Sequence, residues 1–84
     1  MEWDVVEVKP EPGMRLQVRF ADGTRGVVRF EEGHLTGVFE PLKVPDFFNQ
    51  AFVDGGAVAW PGDVDLAPDA MYHEIKQRGE WVLR

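Results

Sequence analysis

From 14 to 20 the chain alternates strictly. Met14, Leu16, Val18 and Phe20 are apolar, while Arg15, Gln17 and Arg19 between them are polar. Successive side chains of a strand point to opposite faces, so this is the pattern of a half-buried strand. The tripeptide A-D-G follows at 21–23, then a second segment, T-R-G-V-V-R-F, at 24–30. Together they predict a hairpin, and its register decides which residues share a face. A two-residue Asp22-Gly23 turn sets Phe20 against Arg25 and Leu16 against Arg29, which mixes the faces. A type I turn with a left-handed Gly23 instead pairs Phe20 with Thr24, Val18 with Gly26, Leu16 with Val28 and Met14 with Phe30. Every large apolar residue except Val27 then lies on one face. A one-residue slip would reverse the faces, so the second register is expected.

This register places Arg19 opposite Arg25 and Arg15 opposite Arg29. Like charges directly across a strand pair cost a few tenths to about 1 kcal/mol. Solvent, carboxylates or a partner must offset that cost. The run W-D-V-V-E-V-K predicts a strand over residues 3–9, with P-E-P-G as a turn at 10–13. With Val6 and Val8 towards the core, Trp3, Val5 and Glu7 share the arginine face. Glu7 can then neutralise one arginine, and Trp3 can stack on another. Trp3, Arg15, Arg19, Arg25 and Arg29 form the candidate interaction face. A solvated, partly salt-bridged outer surface is the plainer account of the same pattern.

The middle of the chain is less periodic. Gly33, Gly37, Pro41 and Pro45 break it, so the expectation is a short turn over 38–42 and a short helix over 45–50, with Pro45 in its first turn. Leu35, Val38, Phe39, Leu42, Phe47 and Phe48 are expected to plug the core. A-F-V-D-G-G-A-V-A-W predicts a second hairpin with its turn at 54–56 and an ambiguous register. A three-residue loop would group Phe52, Val58 and Trp60 on one face. Pro68 and Asp69 open a C-terminal helix whose stripe Met71, Tyr72 and Ile75 docks on the sheet, and Gly79 stops it. The tail E-W-V-L-R reads as a frayed end or as a short added strand, and Trp81, Val82 and Leu83 are too apolar for water, which favours docking. The fold class is therefore α+β: a small antiparallel sheet of two hairpins plus an N-terminal strand, with a short middle helix and a C-terminal helix. One domain spans 1–84, with 77–84 as a C-terminal extension.

Charge sharpens the question posed by the arginines. The net charge is -6, yet four of the nine basic side chains fall within residues 15–30. Residues 32–84 hold nine acids against four bases, a field that disfavours broad nucleic-acid binding. The chain has no cysteine, which excludes disulfides, thiol nucleophiles and thiolate metal sites. The acidic N-terminus lacks the apolar segment of a signal peptide, and no apolar run is long enough to span a bilayer. The expected location is cytoplasmic.

Candidate chemistry is sparse. The histidines are His34 and His73. Asp69 and His73 can share a helix face, but as a surface pair rather than a ligand set. D-V-D at 63–65 lacks the central glycine and closing glutamate of a calcium loop. The plainer account is a helix-entry loop in which Asp65 meets backbone amides near Leu66 and Ala67. Trp60, Asp63 and Asp65 remain a candidate structural or loop site, and a small ligand near Trp60, Phe52 and 61–65 is a third class of function. No phosphate-binding glycine motif occurs, and Thr24 and Thr36 have no evident base beside them. No enzyme activity, cofactor or metal is expected.

The stretches W-D-V-V-E-V-K-P, F-A-D-G-T-R-G-V-V-R-F, F-E-P-L-K-V-P-D-F-F and V-D-G-G-A-V-A-W-P-G-D-V-D-L-A-P-D-A-M-Y are similar to the bacterial family known as domain of unknown function 2442. The resemblance runs over about residues 3–76. Its most specific part is carried by Trp60, Pro61, Asp65, Leu66, Pro68 and Tyr72. An Asn-Gly-like pair is replaced here by Gly62 and Asp63. The resemblance implies a small α+β fold with no established activity. It also implies genes beside another small domain, in an arrangement resembling toxin–antitoxin pairs. Some members carry a further C-terminal DNA-binding domain, and this chain stops where that would begin. The resulting expectation is a non-catalytic protein-interaction module, antitoxin-like or regulatory, with a protein partner encoded nearby. The chain itself would be a monomer or weak homodimer, paired through an edge strand if at all. Nucleic-acid binding through the arginine hairpin is the alternative.

Overall fold

The alternating segment at 14–20 becomes the second strand of an antiparallel meander of β1 (Val5–Glu11), β2 (Arg15–Phe20) and β3 (Arg25–Phe30). The computed structural model describes residues 1–31, 33 and 35–83. The β2–β3 register is the one the apolar pattern requires: Arg15 faces Arg29, Leu16 faces Val28, Val18 faces Gly26 and Arg19 faces Arg25. Phe20 N–H bonds Thr24 O at 2.8 Å, and Gly23 sits at φ 89. The Asp22 carboxylate accepts Thr24 N–H at 2.9 Å, which locks the turn.

The N-terminal strand departs from expectation in its frame. It runs to Glu11, and Pro10 lies within it, as an edge strand permits. A bulge between Val5 and Glu7 inserts Val6 without a partner. Val5 is therefore buried and Val6 is 45% exposed, the reverse of the simple alternation. Beyond the bulge the expected phase returns, with Glu7 opposite Arg19 and Val8 opposite Val18.

A 3-10 helix (Gly37–Lys43) and helix α1 (Pro45–Phe48) follow, with Pro45 in the first turn of α1. Leu35, Leu42 and Phe48 are buried, and Phe39 and Phe47 pack beside them. Val38 is 70% exposed and does not join the plug. The second hairpin joins β4 (Phe52–Asp54) to β5 (Ala57–Trp60) through Gly55 and Gly56. Both turn residues have positive φ, so the loop has two residues rather than three. Val53 consequently pairs with Val58, and Phe52 pairs with Ala59 and stays exposed. The turn thus resolves the ambiguous register, and the grouping of Phe52 with Val58 and Trp60 that a three-residue loop would give is excluded.

Residues expected to be a helix-entry loop instead form β6 (Val64–Asp65), antiparallel to β5. Helix α2 (Pro68–Arg78) buries Met71 and Ile75, and left-handed Gly79 ends it. The tail forms β7 (Glu80–Leu83), paired in parallel with β3. The α+β class holds, while the strands divide into two sheets, β1-β2-β3-β7 and β4-β5-β6. One core joins them. Phe30 meets Phe48 and Trp60 edge-on, and Val5 N–H bonds Gly56 O across the sheets at 2.8 Å. Gly26 lets α2 approach β3: a Cβ there would overlap Ile75 and stand 2.8 Å from Gly79 O.

Candidate interaction face

The pleat that buries Leu16, Val18, Phe20, Val28 and Phe30 necessarily turns the residues between them outward. The outer face of the four-stranded sheet carries Glu7, Lys9 and Glu11 from β1, and Arg15, Gln17 and Arg19 from β2. Arg25, Val27 and Arg29 follow from β3, and Glu80 and Val82 from β7. All four candidate arginines are therefore brought together, in two directly opposed pairs.

Carboxylates offset three of the four. Arg19 Nε lies 3.4 Å from Glu7 Oε1, Arg29 Nη1 3.1 Å from Glu80 Oε1, and Arg15 Nη2 3.6 Å from Glu11 Oε1. Gln17 adds a 2.7 Å hydrogen bond to Glu11. The Arg25 side chain has no ion-pair or hydrogen-bond partner among the described residues. The pairs are half in water, so each contributes at most about 1 kcal/mol to folding. Lys9 and the four arginines stand against Glu7, Glu11 and Glu80. The face is thus net positive on a chain of net charge -6. A concavity of about 640 Å³ crosses it, with Glu7, Lys9, Gln17, Arg19, Arg25 and Val27 among its walls.

Trp3 lies outside the four strands that build this face. It precedes β1, and no arginine stacks on it among the described residues. The bulge at Val6 breaks the alternation on which that placement depended. The charged neighbours Lys9 and Glu11 continue the period-two pattern past Pro10 and were readable from it. Glu80 was not, because it arrives through a parallel pairing some fifty residues away in sequence.

Trp60, Asp63 and Asp65 are brought together as walls of one concavity of about 220 Å³, which Phe52 also lines. Trp60 is buried, and its Nε1–H donates to Phe48 O at 2.8 Å, so its role is to tie β5 to α1. Asp63 lies in the β5–β6 turn at φ 64, and Asp65 is exposed on β6. Asp65 does not cap α2, whose first turn has no side-chain cap. His73 meets Gln77 at 3.3 Å rather than Asp69, and His34 lies outside the described residues. Among the described residues there is no metal-holding cluster of His, Cys, Asp or Glu, and no buried charged side chain.

One polar network escaped sequence reasoning. Tyr72 on α2 donates its hydroxyl to Asp22 Oδ2 at 2.6 Å, and Lys76 Nζ lies 3.7 Å from the same oxygen. The Tyr72 hydrogen bond, with help from Thr24 and Lys76, lowers Asp22 to about 2. Asp22 in turn pushes Tyr72 up to about 12. The network fastens the β2–β3 turn to α2.

Compared with known proteins, residues 5–77 match the family model described as a protein of unknown function, DUF2442. The chain belongs to DUF2442. No curated protein and no solved structure matches it. The DUF2442 match runs from β1 nearly to the end of α2. Most residues that carried the resemblance prove structural: Trp60 and Tyr72 through their hydrogen bonds, Leu66 in the core, Pro68 at the start of α2. Gly62 and Asp63 both adopt positive φ, so the substituted pair keeps the left-handed turn that Asn-Gly would also supply. No helix among the described residues is long and apolar enough to cross a membrane.

Proposed function

We propose that this DUF2442 protein is a small non-catalytic interaction module, antitoxin-like or regulatory. Its proposed docking surface for a protein partner is the outer face of the four-stranded sheet. The observation that carries this reading is the net-positive arginine ladder on an acidic chain, with Arg25 unpaired among the described residues. Opposed arginines are tolerated at the expense of repulsion, and a carboxylate-bearing partner would relieve it. Arginine is also a preferred anchor in protein interfaces. Folding draws little on this face, so its side chains are available for binding. The toxin–antitoxin-like gene arrangement implied by the family resemblance supports a small neighbouring-gene product as the partner and the cytoplasm as the compartment.

The test is a nuclease-treated pull-down from lysate at low and high salt, read by mass spectrometry, with the wild-type chain and with Arg19→Glu/Arg29→Glu. The expected result is a stoichiometric small protein that the folded double variant loses. Retention by the double variant would move the interface elsewhere. Capture only of a nuclease- and salt-sensitive fraction would favour nucleic acid, since phosphate contacts weaken steeply with salt.

A further inference from the structure

At one end of the outer face the chain gathers a third arginine that no sequence pattern announces. Arg15 opens β2, Arg29 lies opposite it on β3, and Arg78 ends α2. These three side chains, with Val27 and Glu80, line one open concavity of about 450 Å³. We propose that Arg15, Arg29 and Arg78 form a binding site for a phosphate monoester dianion.

The argument rests on how loosely the guanidinium groups are held. Arg29 is hydrogen-bonded to Glu80 at 3.1 Å. Arg15 lies 3.6 Å from Glu11, and Arg78 lies 3.7 Å from Glu74, both beyond hydrogen-bond length. Arg15 and Arg78 thus form no side-chain hydrogen bond with a described residue. Each arginine already has one carboxylate near it, so an added monocarboxylate offers nothing that Glu11 and Glu74 do not. A phosphate monoester offers a second charge and three acceptor oxygens, enough for several guanidinium groups at once. The carboxyl end of α2 opposes an anion here, but a helix end carries only about half a charge. Glu11, Glu80 and Glu74 balance the three guanidinium charges one for one, so the preference for phosphate rests on its acceptor oxygens displacing the long Arg15 and Arg78 contacts.

The site reaches beyond the docking surface, because Arg78 lies outside the Arg19–Arg25 region and a free phosphate would suffice as ligand. The full chain is titrated, by amide chemical shifts at matched ionic strength, with inorganic phosphate, acetate and a phosphoserine peptide. Phosphate should bind saturably with shifts centred on Gly13 and Gly79, acetate should not, and Arg78→Gln should weaken phosphate on the order of ten-fold. Tighter binding of the phosphopeptide than of phosphate would assign the group to a partner protein; equal binding would assign it to a small phosphate ester. Identical titrations with phosphate and acetate, or no effect of Arg78→Gln, would overturn the site. Because Arg29 belongs to both surfaces, the pull-down is also run with Arg19→Glu/Arg25→Glu, which leaves Arg15, Arg29 and Arg78 intact. This variant should lose the protein partner and keep phosphate binding, and Arg78→Gln should weaken phosphate binding, so the two readings fail separately.

Discussion

The two faces of the four-stranded sheet are built from alternating residues of the same strands and carry opposite kinds of work. On the inner face Leu16, Phe20 and Val28 have no solvent exposure. On the outer face Arg15, Gln17, Arg25 and Arg29 are exposed, and their ion pairs are half in water. Burying a large apolar side chain is worth about 1.5–3 kcal/mol, whereas a surface ion pair is worth about 0–1 kcal/mol. Stability therefore resides on one face, and the other is free to carry charge that folding does not need.

The largest expected break in that comparison is Phe20→Ala. It removes a fully buried ring that also meets Tyr72 edge-on at 5.1 Å. It should cost about 3–5 kcal/mol in urea or thermal unfolding. Gly26→Ala comes next. Its Cβ enters the space occupied by Ile75 and approaches Gly79 O, forcing α2 off β3. A loss of about 1–3 kcal/mol is expected, together with loosened amide protection in β7.

The Tyr72–Asp22 bond should appear as a pH effect. Asp22 is depressed in the fold, so its contribution is complete above its usual value near 3.8 and is lost as pH falls towards about 2. Tyr72 is raised, so the same bond is intact below pH 10 and is lost as pH rises towards about 12. Tyr72→Phe should flatten stability against pH in both windows, measured by denaturant midpoints across pH. Arg25→Ala is the smallest effect: stability should stay within about 0.5 kcal/mol, while partner capture weakens. A large destabilisation by Arg25→Ala would show that the outer face contributes to folding after all.

The two hairpins show where sequence reasoning ran out. In β2–β3 only one register keeps Met14, Leu16, Val18 and Phe20 with Val28 and Phe30, so the pattern has one solution. In β4–β5 small and large apolar residues occupy both faces, and no face penalty selects a register. The Gly55-Gly56 turn selects it instead. The Val6 bulge was hidden for a related reason: V-V-E-V reads equally well in either phase until Val5 is drawn against the second sheet by its bond to Gly56. Of the candidate face, four arginines were legible from spacing, but Trp3 was placed by a phase the bulge removes.

The sequence by itself determined the β2–β3 hairpin, the arginine ladder on its outer side, the proline-led helices and the apolar stripe of α2. Each follows from periodicity and local turn chemistry, which act over a few residues. Only the tertiary structure decided the parallel pairing of β7 with β3, the division into two sheets, the meeting of Tyr72 with Asp22, and the placing of Arg15, Arg29 and Arg78 around one concavity. These arrangements bring together residues some fifty or more positions apart. They depend on how the whole core packs, and no local pattern records that.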